Sequence, residues 1–157
     1  MTSFPLENKL SDTDARYLRD AIRMSIVAKE RGNRPFGAVV ISKDGQLLAE
    51  AYGNTTESGD CTGHAELTAV RIVSPNHTRS VLAQATLYSS AEPCVMCAGA
   101  IKHARFKSIV IGAMEPKTGF SNYVQSHFNS KTTLKQGVLE TECKTLMQTF
   151  FAAKRKN

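Results

Sequence analysis

The sequence predicts an α/β fold in which a mixed β-sheet carries helices on both faces, and three observations predict it. Helical and strand patterns alternate along the chain in the order α-β-β-α-β-α-β-(β)-α. The uninterrupted run Ile109-Val110-Ile111 reads as a strand covered on both sides. Residues 12–31 carry the 3.6-residue apolar period of a long amphipathic helix.

In that helix Leu18, Ala21, Ile22, Ser25 and Ile26 follow the i, i+3, i+4 spacing, and Tyr17, Met24 and Val27 broaden the apolar face. Ser11 or Thr13 is expected to cap its start, and Gly32 followed by Pro35 to end it. Residues 36–42 and 46–52 are short strand-like runs. The turn residues Lys43-Asp44-Gly45 between them make the pair a β-hairpin. Residues 54–63, polar and containing two glycines, are expected as a loop. Helical character returns over 64–73, with His64 in the first turn, and 74–79 is a connection containing Pro75. Residues 85–89 read as a strand and 94–103 as a helix opened by Pro93. Residues 107–112 form the buried strand, and 115–130 are the least regular stretch, an active-site loop or a short helix. A strand over 134–138 and a helix over 139–154, with Leu146, Phe150 and Ala153 on one face, complete the chain. Without repeats, low-complexity segments or a composition break, residues 1–157 read as one domain.

A chain of 157 residues can bury a core without disulfides. No apolar run reaches membrane-spanning length, and residues 1–12 lack the basic start and apolar stretch of a signal peptide. The expectation is therefore a cytoplasmic protein with no membrane partner. Of four cysteines, Cys94 and Cys97 in C-x-x-C spacing read as metal ligands or a redox pair, not as part of a disulfide framework. Cys143 reads as a small buried side chain. A net charge of +6 and a pI near 9.3 permit attraction to nucleic acid without demonstrating it. The basic residues are scattered except for Lys154-Arg155-Lys156, whose plainer reading is a solvated tail.

The chemistry concentrates in His64-Ala65-Glu66 and, about thirty residues on, Pro93-Cys94-Val95-Met96-Cys97. One imidazole and two thiolates are three ligands for Zn²⁺, which takes four, so a position stays open for water. Cys94 and Cys97, three apart, share a face in the first turn of their helix, where the helix dipole favours thiolates. Glu66, two residues past His64, is placed to handle protons without binding the metal. The competing reading makes Cys61 a fourth ligand and the chain a non-catalytic zinc-containing nucleic-acid-binding module, which leaves Glu66 without a task. His77, His103 and His127 read as surface or helix-packing residues.

This H-x-E…P-C-x-x-C arrangement resembles that of the cytidine deaminase-like zinc superfamily. The resemblance implies a three-layer α/β/α fold with a five-stranded mixed sheet, one Zn²⁺ per chain and assembly as a homodimer. It implies hydrolytic removal of an exocyclic amine with release of ammonia. His64, Cys94 and Cys97 would be the zinc ligands, Glu66 the proton shuttle and Asn54 a substrate contact. On the residues themselves Asn54 reads as a base-edge or ribose contact or a turn former, Phe36 as a base-stacking ring or a core side chain, and Ala65 as a further substrate contact.

Two subgroups compete. Residues 32–40 (Gly32-Asn33-Arg34-Pro35-Phe36-Gly37-Ala38-Val39-Val40) and 60–66 resemble small-molecule deaminases, including guanine deaminases. Many tRNA enzymes have Pro-Thr-Ala where this chain has Cys61-Thr62-Gly63. Residues 92–100, Lys117-Thr118-Gly119, residues 137–143 and Phe150-Phe151 with the following basic cluster resemble the tRNA adenosine deaminases instead. The expected substrate is a free nucleobase or nucleoside, with purines such as guanine or adenine ahead of cytosine-type compounds. The alternative is a tRNA-specific adenosine deaminase that edits A to I in the anticodon loop.

Overall fold

Small residues decide where the first helix lies. In the computed structural model, which describes residues 12–123, 128 and 131–155, helix α1 (Asp12–Glu30) packs across strand β1 (Gly37–Ile41). A β-carbon on Gly37 would collide with Ala21 O and Ser25 N and come within 2.9 Å of Met24 C, so only glycine permits this approach. The inward stripe of α1 is accordingly Ala15, Leu18, Ala21, Met24, Ser25 and Ala28. Ile22, expected on that stripe, is half-buried, and Ile26 is 41% exposed. Ala21 and Ser25, whose backbones lie against Gly37, set the centre of the inward line, which turns Ile22 and Ile26 to its flank. Thr13 lies inside the helix and does not cap it, while Ser11 falls outside the described residues. Gly32, at φ +82°, ends the helix as expected.

The expected hairpin forms. β1 pairs antiparallel with β2 (Leu47–Tyr52), and a bulge at Val40/Ile41 shifts the register by one residue. Within the expected loop over 54–63 lies a four-residue helix, α2 (Thr55–Ser58). Helix α3 (Ala65–Val73) follows with His64 as its N-cap, and a short helix α4 (Arg79–Leu82) begins where only a connection was expected. Thr78 caps α4 by accepting from Val81 N, a signal present in the sequence and overlooked. Strand β3 (Thr86–Ala91) leads to α5 (Val95–Ala104), whose N-cap is Cys94. Pro93 therefore precedes the cap and does not occupy the first helical position, because the extended backbone of Cys94 (ψ 172°) has yet to turn.

Strands β4 (Ser108–Ala113) and β5 (Thr133–Lys135) and helix α6 (Glu140–Arg155) close the order. On α6 the buried residues are Cys143, Met147 and Phe150; Leu146 is half-buried and Ala153, expected inside, is exposed. Cys143 fixes that face by packing on Gly112, where any side chain would meet its sulfur.

The sheet runs β2-β1-β3-β4-β5, and only β1 is antiparallel to its neighbours. Ala38, Val40, Leu87, Ile109 and Ile111 face α3 and α5; Val39, Ile41, Tyr88 and Val110 face α1 and α6. This alternation gives the three-layer α/β/α arrangement. One polar cluster crosses the second layer: Tyr88 OH donates to Asp14 Oδ1 at 2.9 Å, and Lys135 Nζ lies 2.8 Å from Asp14 Oδ2, tying α1, β3 and β5 together. Among the described residues, no helix is long and apolar enough to cross a membrane.

Strand direction has a functional consequence. Because β1 alone is reversed, its start lies at the same edge of the sheet as the ends of β2, β3 and β4. Every loop leaving that edge can reach one place.

Replacing Gly37 with alanine should destabilise the protein by about 3 kcal/mol, as overpacking between two backbones does. Thermal unfolding measures this; an unchanged midpoint would show that α1 can lift from the sheet without cost.

Candidate active site

At that sheet edge the structure opens a cavity of about 820 Å³. Phe36 enters it from the start of β1, Gly53 and Thr55 from the end of β2, Glu92 and Cys94 from the end of β3, and Met114–Thr118 from the end of β4. The first residues of α3, His64, Ala65 and Glu66, lie within it as well. Residues 115–118 thus belong to a site-lining loop, as expected, and a 3₁₀ turn at Phe120–Asn122 follows. Residues 124–127 and 129–130 of the expected loop, and with them His127, fall outside the described residues.

His64, Cys94 and Cys97 come together. Their donor atoms all lie within 4.8 Å of one another, and among the described residues they are the group with metal-binding geometry. His64 Nδ1 sits 3.5 Å from Cys94 Sγ. The cause is convergence of two helix starts: His64 caps α3, Cys94 caps α5, and Cys97 is three residues further on. Cys61 is exposed and outside this group, so the closed four-ligand site has no support in the geometry. His77 is half-buried and His103 exposed, away from the cluster.

The hydrogen bond between Cys94 and Cys97 shifts the two thiols in opposite directions. Cys94 is pulled down to about 4, chiefly by the hydrogen bond from Cys97 and then by the one to His64, against its partial burial. Cys97 is pushed up by the same hydrogen bond and by burial. Cys94 also raises His64 through their hydrogen bond. One imidazole and two closely set sulfurs, open to the cavity on one side, are a donor set that fits zinc with a position to spare.

Glu66 lies 5% exposed at the cavity floor, and burial is the main cause of its raised pKa. Ser89 Oγ stands 2.7 Å from Glu66 Oε1 and 2.6 Å from Ala91 O. A hydroxyl has one proton to give, so both contacts are satisfied together only when a protonated Glu66 donates to Ser89 and Ser89 donates to Ala91. The geometry therefore favours the neutral acid. Ser89 was not foreseen, because its pairing with Glu66 is made across the sheet and leaves no local pattern.

Asn54 lies beside the cavity, between its lining residues Gly53 and Thr55. Its backbone N–H donates to Gly63 O at 2.8 Å, and its side-chain oxygen occupies the space a methyl group on Gly63 would need. Phe36 is half-buried, lines the cavity and packs on both cores. The largest element missed as a wall is α6, which contributes Lys144, Met147, Phe151, Lys154 and Arg155. The aromatic pair followed by basic residues was its only signal. Lys156 lies outside the described residues.

The profile of the cytidine and deoxycytidylate deaminase zinc-binding region matches residues 11–113. The chain belongs to that family of zinc-dependent deaminases. The deaminase is 35% identical over 154 residues to a tRNA-specific adenosine deaminase of Haemophilus influenzae, covering 93% of this chain and 87% of the relative. Among solved structures it is similar to a tRNA:A34 deaminase active in A-to-I editing at the wobble position of transfer RNA. That match has a TM-score of 0.72 and 31% identity, over 83% of this chain and 98% of the other. It is also similar to the guanine deaminase of Bacillus subtilis, with a TM-score of 0.56 and 37% identity over 67% of this chain and 66% of the other. The enzymatic reading made from the zinc motif stands, and the non-catalytic module does not.

Two outcomes follow from the site's proton inventory. Zinc titrated into metal-free protein should release protons, and its binding should weaken as the pH falls, because ligating thiols must deprotonate. Calorimetry in two buffers of different ionisation enthalpy counts those protons; a count of zero would sink thiolate ligation. Glu66→Gln should stabilise the metal-free protein at neutral pH and leave it unchanged below about pH 4. Below that value both states of the wild type are protonated. As the pH rises, the unfolded chain ionises while the buried group resists, and the wild type loses stability the glutamine variant keeps. Urea unfolding at several pH values reads the difference.

Proposed function

We propose that His64, Cys94 and Cys97 hold the zinc, that Glu66 carries the protons, and that the deaminase acts on adenosine presented in a tRNA loop. The observation that carries the substrate reading is the charge around the cavity. Five exposed cations, Arg34, Lys117, Lys144, Lys154 and Arg155, line it. None is neutralised by an ion pair among the described residues. Arg34 rests over the Phe151 ring and Lys154 over the Phe150 ring, which keeps both heads at the opening. The acids of the wall include Glu66 and Glu92, both buried in the floor. A neutral free base gives such a rim nothing to bind, whereas a polynucleotide brings phosphates to it. The near full-length likeness to tRNA-specific adenosine deaminases supports the same reading.

Bound zinc supplies the Lewis acidity that makes a water nucleophilic at neutral pH. Glu66 would take a proton from a water and deliver it to the ring nitrogen as the water oxygen bonds to the amine-bearing carbon. It would then take the proton of that new hydroxyl and pass it to the amine, so that the C–N bond breaks and ammonia leaves. Ser89 holds Glu66 in place for both transfers. Phe36 stacks on the base, and Ala65 at the floor and Asn54 beside it contact the base edge. We retain a homodimer within the proposal: Val95 and Met96, 42% and 38% exposed at the start of α5, leave an apolar ledge next to Cys94.

A free purine base is the second reading. Residues 60–66 favour it, and so does the two-thirds match to guanine deaminase.

Ammonia release from zinc-loaded protein should be measured on free bases, nucleosides and a tRNA anticodon stem-loop. We expect turnover on the stem-loop, falling with salt at a log–log slope of about −3.5 if the five cations meet phosphates of an unpaired loop. Glu66→Gln should lose roughly 10³-fold in kcat with zinc retained. Salt-insensitive turnover on a free base would instead establish the second reading.

A further inference from the structure

Glu92 is a buried carboxyl that the deamination chemistry does not use. It stands 4% exposed, directly before Pro93 and Cys94, and it borders the cavity. Both of its oxygens are engaged by one distant segment: Glu115 N donates to Oε1 at 3.1 Å and Ser121 N donates to Oε2 at 2.9 Å. The stretch between those amides is knitted to itself. Gly119 N and Asn122 Nδ2 donate to Glu115 O, and Tyr123 OH donates to Lys117 O. Such a stretch moves as one piece, and its attachment to the sheet decides where it stands. Among the described residues its polar attachments include the two bonds to Glu92, Phe120 N to Pro93 O at 2.9 Å, and a bridge between Cys94 and Gly119, while the Phe120 ring packs into the core. Gly119 has no side chain because Glu92 Oε1 and Glu115 O occupy its place.

From this geometry we infer that Glu92 is a positioning residue for substrate: it sets the wall formed by Glu115–Thr118 at a fixed distance from the Cys94 turn. A carboxylate suits the task, because an acceptor oxygen on each side receives a backbone N–H and charge-assisted bonds are the stronger kind. Glutamine fills the same volume but offers an amide nitrogen to one of the two N–H groups, so one anchor is lost and a buried donor is left facing another. The consequence for substrate rests on the reading of this cavity as the deaminase's binding site; the anchoring itself does not.

Two readouts keep these apart. In Glu92→Gln, hydrogen exchange at the amide of Glu115 or Ser121 should quicken about tenfold, while β4 amides stay as in the wild type. With whichever substrate the wild type turns over, KM should rise about tenfold while kcat stays near the wild-type value and zinc remains at one per chain, as when ground-state binding alone is lost. Gly119→Ala dislodges the same wall from the loop side with the carboxyl intact, and should produce the same KM rise should the glutamine variant fail to fold. Unchanged exchange at both amides would overturn the anchoring. Faster exchange with KM unchanged would overturn the role toward substrate, as would loss of zinc with kcat collapsing.

Discussion

The direction of the strands governs everything else in this molecule. With β1 reversed between β2 and β3, the ends of three strands and the start of a fourth share one edge. The helices that follow β2 and β3 on the same face must then begin close together. Two helix starts bring two sets of unpaired N–H groups and the positive ends of two dipoles to one spot, an environment that favours thiolates. His64, Cys94 and Cys97, the group that could hold a metal ion, sit at that spot. Zinc ligation by His64, Cys94 and Cys97 therefore asks no distortion of either helix: His64 and Cys94 keep the extended backbone of an ordinary cap.

Two buried carboxyls within this edge are handled in opposite ways. Glu66 has the Ser89 hydroxyl as its side-chain partner, one that also reaches Ala91 O, and burial outweighs that bond and raises the pKa of the acid. A group in that state, brought next to a metal that favours its charged form, is poised between two protonation states, which is what a proton shuttle needs. Glu92 has both oxygens committed to backbone N–H groups of one loop. It is engaged in holding, not in exchange. The number and kind of hydrogen-bond partners separate the two roles more sharply than position in the sequence does.

The two halves of the chain carry different likenesses. The region before His64 resembles small-molecule deaminases, and the region from Glu92 onward resembles tRNA enzymes. In the folded protein the first region contributes Phe36, Gly53 and Gly63 to the cavity, while α6 lays Lys144, Lys154 and Arg155 along its rim. The floor and the rim of the cavity are thus drawn from different segments, and a likeness in one says little about the other. Gly63 is the particular departure: its missing methyl leaves room for the Asn54 side chain to lie against the loop backbone.

The sequence by itself determined the alternation of elements, the hairpin and the spacing that brings His64, Cys94 and Cys97 into one cluster. These are written in local spacing: a three-residue interval places two sulfurs on one helical turn, and alternating apolar residues choose a strand's two faces. It misjudged the inward faces of α1 and α6, because the close approach of Ala21 and Ser25 to Gly37, and of Cys143 to Gly112, fixes how each helix is rotated, and that constraint comes from the opposite layer. It overlooked α2, α4 and the exact caps, which depend on single backbone angles. Ser89 beneath Glu66, Glu92 under the loop after β4, and α6 along the cavity rim were decided by tertiary structure alone. Each joins residues more than twenty positions apart, and their meeting depends on strand order and direction, which periodicity does not encode.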